Sequence, residues 1–148
     1  YGCYIVRPSD VLALDVNPDR KNSLEQIIEA TGAELVDFPG KTACCGFPIL
    51  LINETNSTKM VGNHTLSAKR KGADAMVTPC PLCHLNLDGY QEKAAKRNRP
   101  NAPVDLPIVH LPQLIGLAMG FTPLELGLEK HLVSSGAFIE KLDVLSSV

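Results

Sequence analysis

Apolar positions along the chain alternate between helical spacing and short unbroken runs. Asn22-Ser23, followed by Leu24, Ile27 and Ile28 and then Gly32, predicts a capped amphipathic helix with a glycine stop. Ala33 to Phe38 carries Leu35, Val36 and Phe38 and reads as a short buried strand ended by Pro39-Gly40. Cys44-Cys45-Gly46-Phe47-Pro48 reads as a loop. Met60, Val61, His64, Leu66 and Ala68 predict a second helix from about Ser57 to Lys71, closing at Gly72. Ala73 to Thr78 is a predicted strand broken by Pro79-Cys80. Pro81 then suits the first turn of a third helix reaching about Arg97. Asn98 to Pro107 contains three prolines and is expected to be a loop. Ile108 to His110 reads as a last short strand with a helix after Pro112, and Gly127 to Val148 shows only weak helical signals.

Strands alternating with helices indicate an α/β domain, a mainly parallel sheet flanked by helices. Ligands in such sheets collect outside the carboxyl ends of the strands. Cys44-Cys45 follows one predicted strand and Cys80 another, and Cys3 would follow a truncated first strand. Three cysteine groups far apart in sequence are therefore expected at one edge of one sheet.

Length and charge narrow the picture. A chain of 148 residues has the size of one domain, so 1–148 is taken as a single unit that buries about two-thirds of its unfolded surface without needing disulfides. A formal charge of −2 argues against general nucleic-acid binding. The basic runs Lys69-Arg70-Lys71 and Lys93 to Arg99 fall at predicted helix ends and read as solvated faces. No apolar run approaches the roughly 20 residues of a membrane helix. The opening Tyr1-Gly2-Cys3 lacks the charged segment and apolar core of a signal peptide, so a cytoplasmic location is expected. The missing initial Met, with a cysteine at position 3, suggests a piece of a longer polypeptide.

Five cysteines cannot complete a disulfide framework, and adjacent ones pair poorly because disulfide geometry wants their Cα atoms well apart. In a reducing compartment, clustered cysteines usually bind metal or do redox chemistry. Gly46 tolerates the positive φ that a sharp turn needs if Cys44 and Cys45 are both to face inward. Pro81 puts Cys80 and Cys83 on either side of a helix start, whose N–H groups and dipole stabilise thiolates.

The segments Tyr1-Gly2-Cys3, Cys44-Cys45-Gly46-Phe47-Pro48 and Thr78-Pro79-Cys80-Pro81-Leu82-Cys83 resemble the CCG, or cysteine-rich, domain found in the B subunits of the heterodisulfide reductase family. His110 to Gly120 is similar to the stretch after the second motif in those proteins. The resemblance reaches about residue 121, and it places the chain as the C-terminal half of a polypeptide with two such motifs. It implies Cys3, Cys44, Cys45, Cys80 and Cys83 as ligands of a non-cubane [4Fe-4S] cluster, with no catalytic side chain beyond them. It implies reduction of a mixed disulfide of two thiol cofactors, in methanogenesis coenzyme M and coenzyme B. It implies as partners a second CCG domain of the same polypeptide, a ferredoxin-like iron–sulfur subunit and the disulfide substrate. An ordinary cubane needs four thiolates, whereas an opened or fused cluster can use a fifth. A cluster held by five thiolates is a negative centre that nearby cations would help balance; Arg7 and Lys41 are the nearest in sequence, with plain surface the favoured reading of each.

Other readings of the same residues stay open. Cys80-Pro81-Leu82-Cys83-His84 also spells a heme-attachment motif, but that leaves Cys3, Cys44 and Cys45 unexplained. Four of the five cysteines could form a closed zinc site, as in a structural zinc module, and an aerobically prepared fragment could carry zinc or nothing. An electron-relay domain of a related lactate, glycolate or fumarate–thiol oxidoreductase is the remaining alternative. His84 is either a donor to a cluster sulfur or a surface residue. His64 and His110 are expected to be structural, and His131 lies in the weakly patterned tail.

Overall fold

The computed structural model describes residues 1–12, 22–98 and 105–146. The chain opens with two short helices, α1 (Cys3–Val6) and α2 (Ser9–Leu12). Next come α3 (Ser23–Ala30), a 3₁₀ turn at Phe47–Ile49, α4 (Glu54–Arg70), β1 (Met76–Thr78), α5 (Pro81–Gly89) and α6 (Gln91–Asn98). The order ends β2 (Ile108–His110), α7 (Leu111–Ala118), a second 3₁₀ turn at Leu128–Lys130 and α8 (Gly136–Ser146).

β1 and β2 pair in parallel, with Met76 opposite Ile108, Val77 opposite Val109 and Thr78 opposite His110. Side chains alternate across a strand, so each register pair serves one face. Met76 and Ile108 join a core with Cys45, Val61, Cys80, Cys83 and Leu87, while Val109 joins one with Leu114 and Leu128, against which Val77 packs. Both faces are covered, as parallel strands require. The expected parallel sheet flanked by helices is present, with the Cys80 motif just past the carboxyl end of β1.

Several boundaries differ from the expected ones. Residues 33–38 form no strand: among the described residues the sheet has two strands and nothing pairs with this segment. Phe38 still packs, lying against the first core. α4 starts three residues before Ser57 because the Asn53 side chain accepts the Asn56 amide at 3.0 Å and caps it. Its buried face is made of small residues, half of them polar: Ser57, Thr58 and Thr65 beside Val61, Gly62 and Ala68. The two threonines satisfy their hydroxyls on Glu54 and Val61 carbonyls of their own helix, which lets neighbours approach closely. Asn22 stands before α3 but makes no side-chain cap. The third expected helix is two, α5 and α6, broken at Tyr90.

Polar side chains tie the pieces together. Buried Gln91 donates to the Leu106 carbonyl at 2.8 Å and accepts the Leu106 amide at 3.2 Å, substituting for a neighbouring strand just before β2. Asp88 accepts the amides of Leu132 and Val133 at 2.8 and 3.0 Å. The C-terminal segment is thereby tied to α5, and Leu128, Phe138 and Ile139 pack on the second core. Both basic runs carry ion pairs: Lys69 with Asp105, Lys93 with Glu54, and Lys96 with Glu92 at 2.5 Å. Of the expected loop at Asn98 to Pro107, residues 99–104 lie outside the described ones.

Candidate metal centre

Three separate stretches of chain bring all five cysteines into one neighbourhood. Cys3 opens α1, Cys44 and Cys45 precede the first 3₁₀ turn, and Cys80 caps α5 with Pro81 at its first position and Cys83 one turn in. The Cys3 and Cys44 sulfurs are 4.0 Å apart. Cys83 lies near enough to both Cys45 and Cys80 for the three thiols to interact electrostatically. Gly2 closes the group: a Cβ there would lie 2.5 Å from Cys80 Cβ, 3.2 Å from Cys80 Sγ and 3.5 Å from Cys83 Sγ. All five are free thiols, with Cys45, Cys80 and Cys83 buried and Cys3 and Cys44 half-buried.

The Cys44-Cys45 turn is made by Gly46, whose φ of 95° is open to glycine and poorly open to other residues. Gly46 also rests on α4, where an added Cβ would lie 3.0 Å from Ser57 Cα. Its amide donates to Cys44 Sγ at 3.4 Å. The Cys44 carbonyl meets His64 Nε2 at 2.9 Å, and the Cys45 carbonyl accepts from Asn86 Nδ2 at 2.8 Å. The Cys80 amide donates to the Thr78 hydroxyl at 3.2 Å, tying the start of α5 to the end of β1.

Electrostatics split the thiols. The hydrogen bond from Cys83 pulls Cys45 down to about 6 against its burial, with the Phe47 amide helping. Cys83 is correspondingly raised, first by that bond and then by burial. Burial raises Cys3, with the Cys44 charge adding to it. Among the described residues no three Cys, His, Asp or Glu side chains close on a single metal ion. The sulfurs run instead as a chain of neighbours from Cys3 through Cys44 and Cys45 to Cys83 and Cys80. A set of five soft thiol donors, most of them shielded from water, has the chemistry an iron–sulfur cluster requires.

The other singled-out residues lie elsewhere. His84 turns from the sulfurs to the Ile108 carbonyl at 3.0 Å and packs edge-on against His131 and His110, with ring centroids 4.7 and 6.0 Å away. His110 and Gln113 form a capping box on α7, and Gln113 also donates to His131 Nε2 at 3.0 Å. Lys41 is exposed and pairs with Glu25 and Asp37, both at 3.2 Å. Arg7 is also exposed. After the turn, Leu51 and Ile52 are 98% and 87% exposed, while Phe47, Ile49 and Leu50 are half-buried. Reasoning from cysteine spacing missed Gly2, Ser57, His64 and Asn86 as parts of the site's frame. The only sequence signal was position, Gly2 beside Cys3 and Asn86 one turn beyond Cys83.

Fold and site together define a small α/β domain built around converging thiols. The chain belongs to the cysteine-rich CCG domain family, whose match spans residues 1–88. It is 39% identical over 137 residues to the 8-methylmenaquinol:fumarate reductase membrane anchor subunit of Wolinella succinogenes, covering 91% of this chain and 46% of that protein. It is 32% identical over 149 residues to the B subunit of the ferredoxin/F(420)H(2)-dependent CoB-CoM heterodisulfide reductase of Methanosarcina acetivorans. The B subunit of the ferredoxin:CoB-CoM heterodisulfide reductase of Methanosarcina mazei matches at the same identity and length. Both matches cover 99% of this chain and 49% of the relative, so the chain spans about half the length of the curated relatives it matches. No helix among the described residues is long and apolar enough to cross a membrane.

Proposed function

We propose that the chain is the C-terminal iron–sulfur half of a protein like the B subunit of heterodisulfide reductase, holding a non-cubane [4Fe-4S] cluster on Cys3, Cys44, Cys45, Cys80 and Cys83. The observation that carries this reading is the gathering of five thiols from three distant segments around the start of α5. When bound, such a cluster supplies electrons singly and an iron able to accept a sulfur ligand. The chain's own residues hold the site in readiness. Burial of Cys45, Cys80 and Cys83 excludes water, the amides of Gly46 and Phe47 support negative sulfur, and the N-terminal end of α5 faces the cysteines with its positive dipole.

The two Methanosarcina relatives support, as substrate class, a mixed disulfide such as that of coenzyme M and coenzyme B. Its reduction consumes two electrons and two protons and releases two thiols. A second CCG domain and a ferredoxin-like subunit would supply the other cluster and the electrons, in the cytoplasm. The higher identity to the Wolinella protein favours a second reading, an electron-relay domain in a fumarate-reducing assembly.

The test is metal and acid-labile sulfide analysis of the anaerobically prepared chain, with its visible and electron paramagnetic resonance spectra. Iron and sulfide in equal amounts with a cluster signal support the proposal. One zinc per chain without sulfide, from anaerobic and iron-replete preparations alike, refutes it in favour of a structural zinc module. Disulfide against fumarate-coupled reduction by the whole two-motif protein separates the two redox readings.

A further inference from the structure

Consecutive residues of an extended chain send their side chains to opposite sides, so adjacent cysteines do not by default serve one site. No strand ladder holds the Cys44-Cys45-Gly46 turn. Its two cysteine carbonyls are instead held by side chains from two different helices. His64, in the middle of α4, meets the Cys44 carbonyl at 2.9 Å. Asn86, fully buried in α5, donates to the Cys45 carbonyl at 2.8 Å and from the same nitrogen reaches Ser57 Oγ at 3.3 Å. Ser57 is also the residue on which Gly46 rests. Behind the His64 ring, Gly40 leaves no spare room: a Cβ there would come within 2.9 Å of Nδ1.

The Cys44 carbonyl belongs to the peptide plane before the Cys45 Cα, and the Cys45 carbonyl to the plane after it. With both planes held, the φ and ψ of Cys45 are set, and with them the direction of its Cα–Cβ bond. We propose that His64 and Asn86 are positioning residues that pin the two peptide planes flanking Cys45 and so aim its sulfur at Cys83 before any iron arrives. The inference rests on the proposed iron–sulfur function for its purpose, but the contacts it invokes are between the chain's own residues.

The experiment compares the full chain with its His64→Gln, His64→Leu and Asn86→Asp variants. Gln keeps an N–H donor near the position of Nε2, Leu removes it, and Asp turns a donor into an acceptor facing a carbonyl. Two readouts run in parallel: the rate of alkylation of Cys45 by iodoacetamide in metal-free protein, mapped by peptide mass, and the rate of iron loss to a chelator after anaerobic loading. His64→Leu and Asn86→Asp should raise both rates about tenfold, the factor expected when one buried carbonyl loses its donor. Alkylation of Cys80 should not change, and His64→Gln should behave as wild type. Wild-type rates in His64→Leu, or equal impairment in His64→Gln and His64→Leu, would overturn the proposal. If Asn86→Asp fails to fold by circular dichroism, the two His64 variants decide. Should wild type take up no iron and sulfide, the cluster reading falls, while the alkylation pattern still judges the positioning role.

Discussion

Gly2→Ala puts a single methyl group against the sulfur site, and its effect can be worked from geometry. Gly2 has φ −87° and ψ 143°, a conformation any residue adopts, so the substitution strains no backbone. At such a position Ala ordinarily stabilises by about 0.4–1 kcal/mol through the unfolded chain. Here the new Cβ would lie 2.5 Å from Cys80 Cβ, where carbon atoms pack best at about 3.5–4.0 Å. A shift of at least about 1 Å is required. Tyr1 resists it from one side, its amino group donating to the Lys41 carbonyl at 2.8 Å and its hydroxyl bonded to Glu25. Cys80 resists from the other, as the helix cap fastened to Thr78. Overpacking of this kind costs about 1–3 kcal/mol, which outweighs the entropic gain. The expected net destabilisation is about 0.5–2 kcal/mol by urea titration. Iron retention after anaerobic loading should fall about tenfold or more, because Cys80 and Cys83 are the atoms displaced. A Gly2→Ala chain as stable as wild type, with full iron and sulfide, would show that Gly2 does not pack against the cysteines.

Gly46→Ala adds a left-handed backbone penalty of about 1–2 kcal/mol to a collision with the α4 backbone at Ser57, so a larger loss of stability, about 2–4 kcal/mol, is expected in the same titration. The Glu25 carboxyl offers a pH test. Burial pushes it up, but the Tyr1 hydroxyl, its own amide and the Lys41 ammonium together hold it below the usual range. A depressed carboxylate stabilises the fold above its unfolded value and loses that contribution as pH falls through the folded one. The melting advantage of wild type over Glu25→Gln should therefore be full at neutral pH and vanish in acid, and an advantage that grew on acidification would contradict the assignment. Finally, the cluster-loaded chain alone should not sustain reduction of the mixed disulfide by a reduced dye. Turnover at the rate of the two-motif protein would make the second domain dispensable.

What the sequence made legible depended on how local each cause was. β1, β2, α3 and α7 followed from short apolar runs and terminators beside them, and Pro81 marked the start of α5 to the residue. The strand expected at residues 33–38 failed because a strand exists only through its partner, which no pattern within the segment can announce. α4 was recognised from Val61 and Ala68, yet half of its buried face is Ser57, Thr58 and Thr65, whose threonine hydroxyls are satisfied by their own helix. Polarity alone had left them out. The gathering of the cysteines was expected from three strands ending at one sheet edge, but only Cys80 follows a strand, β1, while Cys3 opens α1 and Cys44-Cys45 precede a 3₁₀ turn. The side chains that hold their carbonyls, His64 and Asn86, act across the fold, and only Asn86, one turn beyond Cys83, left any spacing to read.

The same packing bears on whether the site needs its metal to exist. Cys45, Cys80 and Cys83 belong to the buried core that includes Val61 from α4, Met76 from β1, Leu87 from α5 and Ile108 from β2. Each such apolar side chain stabilises the fold by about 1.5–3 kcal/mol whether or not a metal is bound. A metal-organised domain would place its ligands in loops without such support and unfold when stripped. Cys83→Ser separates the two cases. Its hydroxyl would sit where the thiol is 3% exposed, but it can donate to Cys45 as the thiol does, so the cost should stay near the low end of an imperfect buried hydrogen bond, about 1 kcal/mol. In a chain of this length that lowers the melting temperature by about 2–4 °C. The far-ultraviolet circular dichroism of the variant, and of metal-free wild type, should retain the helical signal, while iron uptake by the variant is lost. A metal-free wild type with the spectrum of an unfolded chain would mean that metal, not this core, assembles the site.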